Sequence, residues 1–241
     1  MGETNIESVG SEGANPAVND ILTEDEALAL LKQGDLSSQG IERLVANAAI
    51  KNRKVRLAAA GHPRTPRRIA LRLVRELYTF DLARFTLTPA VAADLKRLAE
   101  DLLIARLPAV TLGERIALGR RSSPTVVAAL LLDKDSRVWH AALENPRLTE
   151  SAIVKALQSA KASPGLVATV CRHAKWSPRA EVRIALLRNP HTSQARALEF
   201  AQSLPPAQLR EVLHASRLPE RVKSYLRRDL GGRKRSAVHG G

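Results

Sequence analysis

The chain is poor in cysteine and in aromatic residues. A single cysteine, Cys171, stands among 241 residues, which excludes an internal disulfide and any cysteine-rich zinc or iron–sulfur site. Aromatic residues make up 3% of the chain and Trp139 and Trp176 are its only tryptophans, poor material for the stacking platforms that grip single-stranded nucleic acid. Apolar runs of about 18 residues are missing, so no membrane partnership is expected. A basic start followed by an apolar stretch, the mark of a secretory signal, is missing as well. These absences together predict a reducing, cytoplasmic setting. Neither G-x-x-x-x-G-K-[ST] nor G-x-G-x-x-G occurs, and none of the six histidines falls in H-x-x-x-H or H-E-x-x-H spacing. Nucleotide and helix-borne metal sites therefore have no motif behind them, and no cofactor is expected.

Leucine, alanine and arginine dominate instead. The charge is uneven: residues 1–26 hold seven acids and no Lys or Arg, against a chain total of +14, so residues 27–241 carry +21. A body of that sign is drawn to polyanions, although net charge speaks to non-specific attraction rather than to a site. Arginine outnumbers lysine 28 to 10, which a GC-rich genome also produces.

The first twenty residues are polar and without periodicity, which predicts a disordered acidic tail over 1–20. Thr23 followed by Glu26 fits a capping box, in which the threonine oxygen accepts the third backbone N–H and the glutamate reaches back. N-terminal helices are expected over 21–50, the second at Ile41 to Ile50. From about residue 51 a block recurs. Residues 56–65 (R-L-A-A-A-G-H-P-R-T), 139–148 (W-H-A-A-L-E-N-P-R-L) and 183–192 (R-I-A-L-L-R-N-P-H-T) share alanine at the third place and proline at the eighth. Val55, Val138 and Val182 precede them. Alanines let backbones approach, and the proline ends the helix because it has no N–H and disfavours α geometry in the residue before it. A second helix follows, heralded by Ser/Thr-Pro at Thr65, Thr88, Ser123, Ser163 and Ser177; a hydroxyl N-cap with proline at the first helical place is a start signal. Looser copies lie at 113–132 and 208–226. A unit of about 22–29 residues is too short to bury its own apolar face and must stack on neighbours. The expected fold is all-α, with a helical repeat domain at 51–230 and a basic flexible tail at 231–241.

The pattern V-R-x-A-x-x-x-N-P-x-T-P resembles the leucine-rich repeat variant, within the HEAT-like α-solenoid group, best at 55–77, 138–157 and 182–204. The resemblance implies a superhelical stack of short helix pairs. It carries over no catalytic residue. The founding type has cysteines for an iron–sulfur cluster ahead of its repeats; this chain has none there.

Catalytic constellations are sparse. His140 and Glu144 are four apart on one helix and within mutual reach. Cys171 is flanked by Arg172 and His173, but neighbours at i+1 and i+2 point away along a helix, so the thiol reads as a small buried hydrophobe. Trp139 has Asp133, Asp135 and Glu144 nearby, the residue types that alkylpurine glycosylases on HEAT-like repeats need; yet Trp139 takes the repeat place held elsewhere by Arg56 and Arg183. The strongest local signal is charge. Residues 51–75 hold nine basic residues and no acid: Lys51, Arg53, Lys54, Arg56, Arg64, Arg67, Arg68, Arg72 and Arg75. Arg68, Arg72 and Arg75 fall on one helical face, where guanidinium groups could track phosphates. Arg56 and Arg183 are instead expected to be structural, each pairing with an acid of the next rung. Arg227, Arg228, Arg233, Lys234 and Arg235 add a second basic stretch. The sequence thus predicts a non-catalytic scaffold that binds a protein partner, with nucleic-acid binding through 51–75 and the basic C-terminus as the alternative.

Overall fold

A computed structural model of the chain describes residues 22–33 and 36–238, and side chains as far as residue 231. Residues 1–20, expected as a tail, lie outside the described residues, as do the side chains of Arg233, Lys234 and Arg235. Among the described residues the chain forms α-helices and 3₁₀ turns and no strand, so the fold is all-α. The first helices are α1 (Glu24–Lys32), α2 (Ser38–Ala46), α3 (Arg53–Gly61), α4 (Arg67–Arg75), α5 (Thr79–Thr86) and α6 (Ala93–Arg106). Then follow α7 (Leu112–Arg121), α8 (Pro124–Leu130), α9 (Ser136–Leu143), α10 (Glu150–Gln158) and α11 (Pro164–Val170). The last are α12 (Ala180–Arg188), α13 (Gln194–Gln202), α14 (Pro206–His214) and α15 (Glu220–Val238). The chain forms two compact units. One compact unit runs up to Asp81 and includes Thr88–Leu98; the second comprises Leu82–Leu87 and everything from Ala99.

Helix starts follow capping chemistry. The Thr23–Glu26 capping box forms as expected, and Thr111 with Glu114 builds a second one at α7. The helix expected at Ile41 to Ile50 starts earlier and breaks, because Asn47 ends α2 and its side chain accepts the Ala49 N–H that opens a 3₁₀ turn. Of the five Ser/Thr-Pro pairs, only Ser123-Pro124 and Ser163-Pro164 open a helix at the proline. Pro66 is itself the N-cap of α4, and Thr65 donates back to Ala59 O at 2.6 Å. Thr88-Pro89 and Ser177-Pro178 form turns ahead of α6 and α12. The φ that suits proline to the first helical place also suits it to the second place of a type I turn, so the dipeptide alone does not choose. The C-terminal expectation also changes: residues 231–238, read as the start of a flexible tail, continue α15 as helix. Arg, Lys and Ala are good helix formers, and each of the two glycines costs only about 1 kcal/mol against that.

In the second unit helices pack alternately. α7 lies on α9, α8 on α10, α9 on α11, α10 on α12 and α12 on α14. The proline-marked helices are therefore not equivalent rungs. α9 packs on a helix of its own kind, whereas α12 packs on α10, the second helix of the preceding block, because α11 intervenes and shifts the alternation. In the first unit α3 packs on α1 and α4. The α7–α9 seam is close: a methyl added at Gly119 would sit 3.2 Å from both Ala142 N and Val138 O.

The corner after each proline-stopped helix is held by a buried polar side chain rather than by the proline. Pro63, Pro146 and Pro190 are exposed, while His62, Asn145 and Asn189 before them are buried. Asn145 Oδ1 accepts the Arg147 N–H at 2.8 Å, and its Nδ2 donates to Gly119 O at 2.8 Å. Asn189 repeats this with His191 N–H at 2.9 Å and Leu157 O at 2.6 Å. Thr192 donates to Leu186 O just as Thr65 does to Ala59 O. Ser216 and Trp176 fasten later corners to Leu187 O and Leu143 O. Each corner thus satisfies its own turn and one of the carbonyls that an α-helix leaves without a partner at its C-terminal end.

His62 fills the asparagine's place with one difference. Its Nδ1 accepts the Arg64 N–H at 3.2 Å, so a neutral ring carries its hydrogen on Nε2, which is buried without a partner among the described residues. A buried unsatisfied donor costs about 1–3 kcal/mol. His62→Asn keeps an acceptor for Arg64, so its thermal midpoint should equal or exceed the parent's; a fall of several degrees would show that the imidazole itself supports the corner.

Candidate binding surface

The nine basic residues of 51–75 do not form one patch. α3 and α4 are joined by a tight corner, and Arg56 near the start of α3 reaches Glu76 O beyond the end of α4. The two helices therefore run back along each other, with Arg53, Lys54 and Arg56 at one end and Arg64, Arg67 and Arg68 at the other. Nine helical residues span about 13 Å.

Five of the nine are engaged by acids of neighbouring elements. Arg53 binds Asp81 at 2.5 Å, Lys54 binds Glu24 at 2.8 Å, Arg56 lies 3.6 Å from Glu76, Arg67 binds Asp94, and Arg68 binds Glu42 at 3.2 Å. The hydrogen bond and charge of Asp81 raise the Arg53 pKa further, and those of Lys54 hold Glu24 below the usual carboxylate range. Arg64 is tied through its backbone, to His62 Nδ1 by its N–H and to the Ser38 hydroxyl by its carbonyl. Arg72 and Arg75 are exposed on the α4 face shared with Arg68, as the spacing predicts, opposite buried Ile69, Ala70, Leu73 and Val74. Lys51 and Arg72 have no acidic partner within 4 Å among the described residues. At the C-terminus Arg227 binds Glu220 at 2.7 Å, and Arg228 is exposed.

Two concavities of the first unit are lined by described residues. One, of about 260 Å³, is lined by His62, Arg67, Ala70, Val91 and Leu95 among others. The other, of about 490 Å³, lies between α2 and α4. Val45, Ala46 and Ile69 line it along with Glu42, Arg68 and Arg72. Sequence reading placed Arg68 and Arg72 on one face but missed Glu42 and Val45 as their companions, because Glu42 stands 26 residues before Arg68 and α2 meets α4 only in the folded chain. It also missed Tyr78 and Phe80, which stay 61% and 42% exposed, with the Arg53 guanidinium 5.7 Å from the Tyr78 ring. In a chain with so few aromatics, two exposed within three residues are the signal that was available.

The catalytic candidates come apart. His140 does not meet Glu144; it stacks on Trp139 at 4.3 Å, while Glu144 takes a hydrogen bond from His173 Nε2 at 3.1 Å. The i,i+4 spacing brings two side chains within reach, and here an aromatic neighbour and the turn after α11 outcompete it. Around Trp139, Asp133 binds Arg115 and Asp135 binds Arg137, each at 2.8 Å. The hydrogen bonds of Arg137 lower the Asp135 pKa to about 2, so this pair persists above the ordinary carboxylate range and is lost as the pH falls through about 2. Arg56 lies near Glu76, an acid of its own repeat rather than of the next. Arg183 instead donates from its Nε to Ser177 O at 2.9 Å, and its guanidinium lies over Phe200. Among the described residues no group of three His, Cys, Asp or Glu could hold a metal ion, and no helix is long and apolar enough to cross a membrane.

Cys171 is buried beside Val167 and Val170, as expected, and burial raises its pKa to about 11. The thiolate is the reactive form, so Cys171 should resist a disulfide reagent near neutral pH and titrate as one thiol per chain in urea. Rapid labelling of the folded protein would overturn this assignment.

No protein-family model, curated protein or solved structure matches this chain.

Proposed function

We propose that the protein is a non-catalytic helical-repeat scaffold that recognises a protein partner. The observation that carries this reading is the neutralisation of the 51–75 cluster. With five of nine cations held by acids of neighbouring helices, the charge serves internal pairing before any polyanion. Support for the repeat architecture comes from the proline-marked corners and from the alternate packing of short helices, which agree with an α-solenoid of the HEAT-like, leucine-rich-repeat-variant kind. Such stacks present long surfaces to partners. The acids near Trp139 are spent in ion pairs, which supports a binding role over a catalytic one. The buried, unreactive thiol suits a cytoplasmic protein.

Affinity purification of the full chain at moderate salt, with nuclease present, tests this. A stoichiometric protein partner is the expected result; recovery of nucleic acid alone overturns it.

A second reading, nucleic-acid binding, rests on Lys51, Arg72 and Arg228, exposed cations without an acidic partner among the described residues. Exposed ion pairs are worth only about 0–1 kcal/mol, so phosphate could also displace the paired ones. Binding would then fall about tenfold or more between about 50 and 200 mM salt as counterions are released.

A further inference from the structure

We infer that the groove between α2 and α4 is the docking site for a peptide segment of the partner that carries an apolar side chain beside carboxylates. This rests on the protein-partner reading above and gives that partner its chemistry.

The groove has an apolar floor and a cationic rim. Val45 and Ile69 are nearly buried, 7% and 8% exposed, and with Ala46 they line a concavity of about 490 Å³. That is room for a large aliphatic or aromatic side chain together with a shorter polar neighbour. The rim carries Arg68 and Arg72 against one acid, Glu42. Glu42 binds Arg68 at 3.2 Å across the groove, but the two side chains are 42% and 82% exposed. An ion pair so open to water is weak and readily exchanged. Arg72, one turn further along α4, has no carboxylate within 4 Å among the described residues. A carboxylate delivered at that point would meet Arg72, and a second would compete with Glu42 for Arg68. Guanidinium suits this role because its planar fork matches a carboxylate in two hydrogen bonds.

The apolar floor decides between a peptide and a nucleic-acid backbone. A phosphodiester chain gains its affinity from cations alone, and Val45 and Ile69 would give it nothing. An apolar side chain flanked by Glu or Asp uses floor and rim together.

The test uses the full chain and short fluorescein-labelled peptides with leucine and glutamate at helical spacing, followed by fluorescence anisotropy at about 0.15 M salt, where only nearby charges act. Replacing the leucines by serine, or the glutamates by glutamine, should abolish binding. Arg72→Glu, at an exposed position, should weaken the parent peptide about tenfold or more, since like charges then face each other. Glu42→Gln should strengthen it about threefold by removing the competing acid; a misfolded variant cannot give opposite shifts at the two positions. Unchanged affinity in Arg72→Glu overturns the site. Equal binding of the serine peptide, or displacement of the peptide by a thymidine oligonucleotide at equal concentration, makes it a phosphate site instead and overturns it too. A tenfold gain on deleting residues 1–20 would make that acidic segment the groove's occupant and overturn a separate partner. If Arg72→Glu still recovers the stoichiometric partner undiminished, the groove is wrong while the scaffold reading stands; if the parent chain recovers none, the scaffold reading itself has failed.

Discussion

Asn145→Ala is expected to lower the unfolding free energy by about 3 kcal/mol, the largest single effect at any corner. Asn145 is fully buried. Its amide accepts the Arg147 N–H and donates to Gly119 O at 2.8 Å and Ser122 O at 3.4 Å. Alanine leaves those backbone groups without the asparagine and opens a void between α7 and α9. Each buried backbone group stripped of its partner costs about 1–3 kcal/mol. Asn145→Asp separates the two halves of the interaction: it retains an acceptor for Arg147 but cannot donate to Gly119 O. Urea melts of both variants decide the matter. A loss in the aspartate variant close to alanine's identifies the donation to α7 as the stabilising half. Losses below about 1 kcal/mol in both would mean that the corner is held by the backbone alone.

Ala142→Leu is expected to cost about 3 kcal/mol, while Pro146→Ala, four residues on, should cost about 1 kcal/mol or less. Ala142 is fully buried at the α7–α9 seam, where its own N lies 3.2 Å from the place a methyl on Gly119 would occupy. The two backbones touch, so a leucine must push the helices apart. Pro146 is exposed, and Asn145 already closes the turn. Parallel urea melts with equal or reversed losses would show that the alternation of α7 and α9 is not the packing that holds this unit together.

Much of the local structure was legible. Thr23 and Glu26 announced a capping box that forms as expected. Arg68 and Arg72 were correctly placed on one exposed side. What misled was any feature with two equally good local uses. Ser/Thr-Pro starts a helix at 123 and 163 but makes a turn at 88 and 177, because the same φ serves both. His140 had Glu144 within reach and stacked on Trp139 instead. Asn145 and Asn189 precede prolines, where the sequence marked only the end of a helix. Their buried bonds to another helix could not be seen, since Gly119 and Leu157 lie 26 and 32 residues earlier in the chain.

The sequence by itself determined that the chain is helical and where the capping box opens α1, because capping and the 3.6-residue period act within a few residues of the chain. It also determined that the thiol would be buried and that 51–75 would be rich in cations. Only the tertiary structure decided what those cations face. Asp81, Glu24, Asp94 and Glu42 come from other helices, and a charge becomes a pair or a binding site according to what stands within about 4 Å of it. The same holds for the corners: α12 meets α10 rather than α9 because one extra helix intervenes, and periodicity within a helix carries no information about which neighbour its face will find.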